Sequence, residues 1–473
     1  MTRRFERIIE KEKDRRKDRK RAAKSCGISS LALMLVASAT STTSLASSLR
    51  VRGVDLKTPL ELRILVQDID VQAVSKKTKF SLSASGLNVI GGPVLAGGNL
   101  NCEVFADPLV FLGNFSMKKN ARWWCQGADF QKFLDEGPLQ LSSDSGFIMA
   151  GDNSYRGKLE LASVGPRLLV INDLDLEGYL AGLVNKEIRS SYPPEAVKAQ
   201  IIAARSYALA TAADRRRAGA LFDMYGTEQD QVYDGSLSED AASHRFVEQT
   251  RGQVLVHQAN IIKAYYHASS GGYSELPQNV WGGLGLARDS LAFLARLSVI
   301  DQDLKGSKWE VQLSAKMGLA WPDLGELSEV RVLERSLGQR VKRIKLVGSK
   351  DTKILSGPEF RKRFGPRWIR STYFSVLKQK GGWQISGNGF GHGVGLSQLG
   401  ARALARSGQK AKDILSHYYP FAHVEQIFYE DAATASLALL TTTPKAGRLK
   451  ALRPKAQNSE RLNIALDAPL SAR

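Results

Sequence analysis

The chain has 473 residues, of which 43% are hydrophobic and 24% are charged, so it can form two or three domains with a sizeable core. Its formal net charge of +20 suits a polyanionic partner such as nucleic acid, an anionic membrane or an anionic cell wall. The chain has no zinc-finger spacing, no RNP-type aromatic motif and no P-loop. We therefore expect no nucleic-acid partner.

The N-terminal residues 1–46 follow the pattern of a secretory signal. A basic stretch precedes an apolar run at residues 28–37, and small and polar residues follow at 38–46. Cleavage after Ala39 or Ala46 fits this pattern. The apolar run is too short for a comfortable transmembrane helix, so we expect an exported protein with no stable membrane span after cleavage. The basic region is unusually long, which leaves an uncleaved anchor or a wrongly assigned start as alternatives.

Residues 47–165 are predicted to form a β-rich N-terminal part of the fold. Short segments alternate between apolar and polar residues at Leu60–Val66, Lys79–Ala84 and Lys158–Leu161, and glycines separate them. A further strand is predicted at Arg167–Ile171.

Cysteine usage points to one disulfide. Removal of Cys26 with the signal would leave Cys102 and Cys125, and an even pair in an exported chain favours a bridge. Such a bridge would stabilise the fold by roughly 3 kcal/mol in the chain-entropy model. Two buried thiols are the alternative.

Two helices are predicted next, at residues 176–187 and from Pro193-Pro194 to Arg217. Proline suits the first turn of the second helix. One stripe of this helix repeats small apolar residues at helical spacing, namely Val197, Ile201, Ala204 and Ala208. We therefore expect this helix to pack in the centre of the fold.

The remaining chain has mixed patterns. Strands are predicted at residues 253–256, 261–266, 330–333 and 341–347, and a last amphipathic helix at 401–416. The predicted fold is α+β, with a catalytic core at residues 166–430 built around central helices. Residues 431–473 carry seven Lys/Arg against three Asp/Glu and lack aromatics, which predicts a disordered basic tail.

Glu187 ends the first predicted helix, directly before a turn that contains Tyr192. A carboxyl that is partly removed from water has a raised pKa, which a general acid needs to hold its proton near neutral pH. From this residue alone, the simpler interpretation is a helix-end carboxylate paired with Lys186 or Arg189.

A longer pattern surrounds Glu187. The segments Tyr179-Leu-Ala-Gly-Leu-Val-Asn-Lys-Glu187 and Pro193-Pro-Glu-Ala-Val-Lys-Ala-Gln-Ile-Ile-Ala-Ala-Arg-Ser-Tyr-Ala208 are followed, in order, by Asp230–Tyr233, Tyr266–Glu275 and Gly387–Ala401. Together they resemble the motifs of the SpoIID/LytB family. The resemblance covers about residues 60–425.

The resemblance implies a peptidoglycan lytic transglycosylase. Such enzymes cleave between N-acetylmuramic acid (MurNAc) and N-acetylglucosamine (GlcNAc), leave a 1,6-anhydroMurNAc end, and in the best-known members prefer stem-peptide-poor strands. The family's catalytic glutamate falls on Glu187. One carboxyl suffices for this reaction, because the C6 hydroxyl of the substrate is the nucleophile, whereas a hydrolytic glycosidase generally uses two carboxylates.

Several residues of the matching segments are candidates for substrate binding. They are Tyr192, Arg205, Tyr207, Ser269, Ser270, Tyr273, His392, Ser397 and Gln398. Arg205, Tyr207 and Gln200 all lie off the apolar stripe of the second helix. They could orient Glu187, bind sugar or anchor a loop. The glycine-rich loop around His392 could bring backbone close to a sugar or form a tight structural turn, and the two roles are compatible.

We expect neither a metal nor a cofactor. Some family members bind zinc through a histidine and nearby cysteines, but no cysteine follows Cys125 and the six histidines lack zinc-site spacing. The expected partners are glycan strands and, since LytB-type relatives are described as amidase enhancers, a cell-wall amidase. A non-catalytic module that binds stripped glycan is the main alternative function, and a nucleic-acid binder is the second.

Overall fold

A computed structural model describes residues 60–70, 79–106, 121–165, 167–282, 306–314 and 323–428. The signal-like segment 1–46 and the basic tail 431–473 lie outside these residues, so their predicted states stay predictions. The described residues form 23 strands and seven α-helices. This mixture confirms the predicted α+β class.

A six-stranded sheet carries the segment that leads to Glu187. Its strands, in spatial order, are β12 (Met224–Tyr225), β1 (Glu61–Asp70), β11 (Arg167–Asp175), β10 (Lys158–Val164), β7 (Leu139–Ser143) and β3 (Leu87–Val89). The pair β1 and β11 is antiparallel along its whole length, and the edge strand β12 is parallel to β1. The strands predicted near residues 60–66, 158–161 and 167–171 are confirmed.

A second six-stranded sheet shares the same hydrophobic core. Its order is β6 (Gln131–Phe133), β5 (Ala121–Gln126), β4 (Asn99–Ala106), β2 (Lys79–Ser83), β8 (Phe147–Ala150) and β9 (Asn153–Arg156). Cys102 on β4 and Cys125 on β5 face each other in register, and they form a buried disulfide.

Two helices follow the first sheet directly. Helix α1 (Leu176–Glu187) begins where β11 ends, and the Asp175 side chain caps it by accepting the Gly178 N–H. Helix α2 (Pro194–Arg217) begins with a proline in its first turn, and its predicted apolar stripe is fully buried. The predicted central position of α2 is therefore confirmed. No helix of the described residues has the length and apolar character of a membrane span.

The chain after α2 returns to short elements. Two of them are the helices α3 (Ala241–Gln249) and α4 (Pro277–Trp281). A three-stranded sheet has the order β14 (Asn260–Ile261), β13 (Gln253–His257) and β23 (His423–Gln426). The strand predicted at 261–266 is wrong over most of its length. Ile262 still bonds to Leu255, but the chain then leaves the sheet and re-enters regular structure only at Tyr266.

Residues 306–314 and 323–388, called the inserted module below, have a hydrophobic core of their own. Two three-stranded sheets build the module. One has the order β16 (Lys308–Ser314), β21 (Gly382–Asn388), β20 (Phe374–Gln379). The other has the order β17 (Leu327–Arg335), β18 (Val341–Gly348), β19 (Thr352–Ser356). Helix α5 (Gly357–Phe364) follows β19 and is capped by Ser356 and Glu359. The strands predicted at 330–333 and 341–347 are confirmed.

The last described segment returns to the main core. Strand β15 (Tyr266–His267) pairs in parallel with β22 (Leu396–Ser397), and α6 (Gln398–Arg406) and α7 (Ala411–Tyr418) follow. The single helix predicted at 401–416 is wrong, because the chain breaks between these two helices. Gly408 takes a φ of 90° directly after Ser407, the C-cap of α6, which stops the helix.

Candidate active site

Glu187 is half-buried at the end of α1, and a backbone N–H holds its carboxyl. Oε1 accepts a hydrogen bond from Val232 N over 2.8 Å. The simple ion pair with Lys186 is absent, because Lys186 pairs with Asp234 over 2.6 Å. Glu187 is therefore held by a neutral donor.

The surroundings of Glu187 raise its pKa from 4.5 to about 7, chiefly through burial. The hydrogen bond from Val232 and the polar side chains of Tyr266 and Gln398 act in the opposite direction, while the charge of Glu228 adds to the rise. Burial is the larger effect, so the carboxyl exists in both protonation states near neutral pH.

Asp230 anchors the segment that presents the Val232 N–H. Its carboxylate pairs with Arg215 at 2.6 Å, and it accepts hydrogen bonds from Tyr207 Oη at 2.9 Å and from the Tyr225 N–H at 2.8 Å. Three partners hold this carboxylate in one orientation. Asp230 therefore acts as a structural anchor beside the site.

Gln231 and Tyr233 hold the same segment from the core side. Gln231 Oε1 accepts a hydrogen bond from Tyr179 Oη of α1 over 2.9 Å, and its amide donates to the Ala204 carbonyl of α2 over 3.3 Å. The Tyr233 ring packs 5.1 Å from the Tyr179 ring. Both helices thus fix the backbone that contacts Glu187.

A cleft of about 640 Å³ lies beside Tyr266 and Glu228, two neighbours of Glu187, while Glu187 itself is not among the residues that line it. Aromatic and charged side chains make up much of its lining, among them Tyr207, Glu228, Lys263, Tyr265, Tyr266, Trp281, Arg361, Lys362 and His392. Tyr266 and Glu228 act on the Glu187 carboxyl and also line the cleft, which connects the two. Arg361 and Lys362 come from the inserted module, so both parts of the chain build the cleft.

Aromatic rings form much of one cleft wall. Trp281 stacks on Tyr265 with ring centroids 4.4 Å apart and an angle of 24°. Trp281 is 46% exposed, so one of its faces is available to a ligand. A flat aromatic face beside polar groups is typical of sites that bind ring-shaped ligands.

His392 lines the cleft as a neutral side chain. Burial, with added repulsion from Arg340 and Arg361, lowers its pKa to about 3. Its Nδ1 accepts the Val394 N–H over 3.1 Å, which leaves the other ring nitrogen as the donor. His392 therefore has the satisfied turn position anticipated from the sequence while it also faces the cleft.

The glycine-rich loop around His392 needs its glycines for close packing. Gly389, Gly391, Gly393 and Gly395 all have positive φ. A Cβ on Gly393 would lie 2.3 Å from the Arg340 guanidinium, which the inserted module places there. The loop is thus shaped by packing against Arg340.

The structure brings three of the predicted binding residues to Glu187 and its cleft. Tyr207 and His392 line the cleft, and Gln398 acts directly on the Glu187 carboxyl. Ser397 lies next to Gln398 but is buried, and its hydroxyl caps α6 by accepting the Gly400 N–H.

Four other predicted residues are part of the buried framework or lie in a different cavity. Arg205 is fully buried and pairs with Glu177 over 2.7 Å. Ser269 and Ser270 are buried, and their backbones bond to Phe390 and Arg340 respectively. Tyr273 lines a second cavity of about 830 Å³. None of these four lines the cleft.

Tyr192 also lies apart from the lining residues. It is half-buried against the main core, and the Arg402 guanidinium sits 4.9 Å from its ring centroid. Its proposed contact with substrate stays a prediction.

Sequence reasoning did not assign the other groups around Glu187. Val232 and Tyr266 stand inside segments that match family motifs, so a signal existed for them. Trp281 and Arg361 lie outside every matched segment, and only the folded arrangement reveals them. Among the residues described, no three His, Cys, Asp or Glu side chains are grouped so that they could hold a metal ion.

Comparison with known proteins identifies two matched regions. The SpoIID family, described as stage II sporulation protein, matches residues 165–257, which include Glu187. A family described only as a domain of unknown function, DUF8618, matches residues 302–395, which contain the inserted module and His392.

Three relatives share extended similarity with this chain. An uncharacterized protein of Brachyspira hyodysenteriae is 30% identical over 289 residues, covering 59% of this chain and 74% of that protein. Stage II sporulation protein D of Bacillus amyloliquefaciens is 29% identical over 271 residues, covering 53% and 74%. The amidase enhancer of Bacillus subtilis is 26% identical over 286 residues, covering 51% of this chain but 39% of that protein. This chain belongs to the SpoIID family.

Proposed function

We propose that the protein is a peptidoglycan lytic transglycosylase in which Glu187 is the catalytic acid and base. One observation carries the proposal: a carboxyl with a pKa of about 7 adjoins a cleft walled by aromatic and basic side chains. A group with this pKa can donate and accept a proton at the same pH.

The reaction needs one carboxyl. Protonated Glu187 gives its proton to the glycosidic oxygen between MurNAc and GlcNAc as the bond to the MurNAc C1 breaks. The C6 hydroxyl of the same MurNAc forms a new bond to C1, and the Glu187 carboxylate takes the proton from that hydroxyl. The enzyme returns to its starting state, no water is consumed, and the product ends in 1,6-anhydroMurNAc.

The groups around Glu187 support both halves of this cycle. The Val232 N–H stabilises the carboxylate that forms after proton donation. Burial, and then the charge of Glu187, raise the pKa of Tyr266 well above its usual range, so this neighbouring hydroxyl stays protonated. Burial favours the protonated carboxyl needed for the next cycle.

Two carboxylates, Asp230 and Glu228, line the cleft, and a hydrolase would use one of them together with Glu187. Asp230 is held by Arg215, Tyr207 and a backbone N–H, which leaves it poorly suited to activate water. Glu228 is exposed. We expect the Glu228→Gln variant to cleave strands and to leave anhydro ends. A hydrolase would be favoured if this variant no longer cleaved strands. It would also be favoured if the unsubstituted protein released products with reducing ends.

Glu187→Gln tests the main proposal. The amide can still accept the Val232 N–H but cannot donate an acidic proton. Purified stem-peptide-poor strands should remain bound while release of anhydro products, followed by mass spectrometry, falls by at least roughly a thousandfold. Continued release by this variant would rule out Glu187 as the acid and base.

The similarity to an amidase enhancer favours one alternative, a non-catalytic protein that binds stripped glycan or assists an amidase. In that case the unsubstituted protein would release no anhydro products, and Glu187→Gln would enhance a cell-wall amidase as well as the unsubstituted chain does.

Export to the periplasm or cell envelope is part of the proposal. The buried disulfide between Cys102 and Cys125 is typical of an oxidising compartment, and a glycan-cleaving enzyme must reach the wall.

A further inference from the structure

The inserted module places two cations on the cleft wall. Arg361 and Lys362 stand in the last turn of α5, and both line the cleft. The cleft is also lined by Arg215, which is already paired with Asp230. The charge of Arg215 is therefore compensated within the cleft.

Backbone carbonyl groups hold Arg361 in place. Its Nε donates to the carbonyls of Ile369 and Arg370, at 3.1 and 3.2 Å, which fixes the plane of the guanidinium. Within the described parts of the chain, no acidic side chain forms an ion pair with it. Burial alone lowers its pKa. A half-buried, uncompensated cation is costly unless a ligand supplies the anion.

The positive charge of Arg361 reaches into the cleft. It helps to lower the pKa of His392, a residue on the cleft lining, after burial and Arg340. Lys362 is exposed beside it and adds a second cation. An oriented guanidinium next to a flexible ammonium suits a planar carboxylate.

We propose that Arg361 and Lys362 form a subsite for a carboxylate on the glycan strand, the lactyl carboxylate of MurNAc. This inference rests on the proposed function. The lactyl carboxylate is free only where the stem peptide is absent, because peptide attachment converts it to a neutral amide. The inserted module thereby gives the cleft a preference for stripped strands.

Binding of two matched ligands tests this subsite. The protein carries Glu187→Gln so that strands are not consumed, and the ligands are peptide-free strands with native carboxylates and the same strands with methylamidated carboxyls. We expect the native strands to bind roughly tenfold more tightly. Arg361→Gln should bring the ratio of the two dissociation constants close to one, and Lys362→Gln should reduce it by a smaller factor.

Arg363→Gln is the matched control, since Arg363 lies on the same helix turn but does not line the cleft. It makes the same change in net charge and should leave the ratio unchanged. If Arg361→Gln does not lower the ratio of the two dissociation constants, the proposed subsite is overturned. If circular dichroism shows that Arg361→Gln is unfolded, Lys362→Gln provides the test instead. A ratio of dissociation constants that Lys362→Gln leaves unchanged then overturns the subsite.

The outcomes separate this inference from the proposed function. Strand binding without carboxylate preference overturns the subsite and leaves catalysis by Glu187 untouched. Anhydro products released by Glu187→Gln overturn the catalytic role, while the ratio still reports on the subsite. Failure to bind either strand contradicts both.

Discussion

Val232 donates its backbone N–H to Oε1 of Glu187 over 2.8 Å, and this bond connects the end of α1 to a segment 45 residues later. The bond favours the charged carboxyl, whereas burial favours the neutral one. The resulting pKa of about 7 shows that burial is the larger effect. These two opposing effects place the pKa of the carboxyl close to the range that acid and base catalysis require.

The pKa of Glu187 predicts a dependence of stability on pH. Between pH 4.5 and about 7 the folded protein retains a proton that the unfolded chain has lost. The contribution of Glu187 to the free energy of unfolding should therefore fall as pH rises through this window, by up to about 3 kcal/mol, and stay constant above it. Urea denaturation of the unsubstituted protein at several pH values measures the change.

Glu187→Gln is the reference for that experiment, because it keeps an oxygen for the Val232 N–H but does not titrate. The difference in stability between the two proteins isolates the contribution of Glu187 from other titrating groups. A difference that stays constant from pH 4.5 to 7 would contradict the raised pKa.

Gln231 is expected to position the Val232 N–H through its contact with Tyr179. Gln231→Leu leaves the Tyr179 hydroxyl buried without its acceptor, which should cost about 1–3 kcal/mol of stability. It should also loosen the Val232 bond, so kcat should fall more than KM changes and the apparent pKa of Glu187 in the pH–rate profile should rise. A purely structural role would lower stability and leave this pKa unmoved.

The double variant Tyr179→Phe/Gln231→Leu provides the control. It removes both polar partners, so it should be more stable than the sum of the two single losses predicts. Strictly additive losses would show that the two side chains do not interact.

Local patterns predicted the two central helices well. The Pro193-Pro194 pair is a start signal that depends on neighbouring residues only, and α2 begins at Pro194. Helix α1 spans Leu176–Glu187, the range predicted from its sequence. Strand pairing is different, since β1 pairs with β11 about a hundred residues further along the chain. No local pattern specifies that partner, and the register comes from packing of the whole core.

The site shows the same division. The motifs predicted Glu187, His392 and Gln398 as site residues because matching segments carry them, and the fold brings Gln398 to the Glu187 carboxyl and His392 to the cleft. They could not say which way a polar residue faces. Arg205 stands in a matching segment, yet its partner is the buried carboxylate of Glu177, and Trp281 faces the cleft with no motif around it.

Arg205 should matter for stability and not for direct contact with substrate. The side chains of Arg205 and Glu177 are 0% and 6% exposed, so Arg205→Met would remove the cation that compensates a buried carboxylate. The expected loss is about 3–5 kcal/mol in the free energy of unfolding, measured by urea denaturation. Arg205→Met/Glu177→Leu should recover much of it. Weaker strand binding by the folded double variant would instead support a contact with substrate.

Trp281 is expected to provide a stacking surface for a sugar ring. Its ring is 46% exposed and rests on Tyr265, so Trp281→Ala removes a ligand contact with little loss of core packing. Strand affinity, measured in the non-cleaving Glu187→Gln protein, should fall roughly tenfold, while the free energy of unfolding should change by less than about 1 kcal/mol.

Two variants show whether the effect belongs to this ring. Trp281→Phe keeps a smaller aromatic face and should retain part of the affinity. Trp368→Ala removes another exposed tryptophan, 64% accessible and outside the cleft lining, and should leave strand affinity unchanged. Equal losses from Trp281→Ala and Trp368→Ala would mean that exposed aromatics bind strands nonspecifically. If only Trp281→Ala weakens strand binding, a sugar ring lies in the cleft beside Glu187. Trp281 stacks on Tyr265, and the next residue, Tyr266, acts on the Glu187 carboxyl.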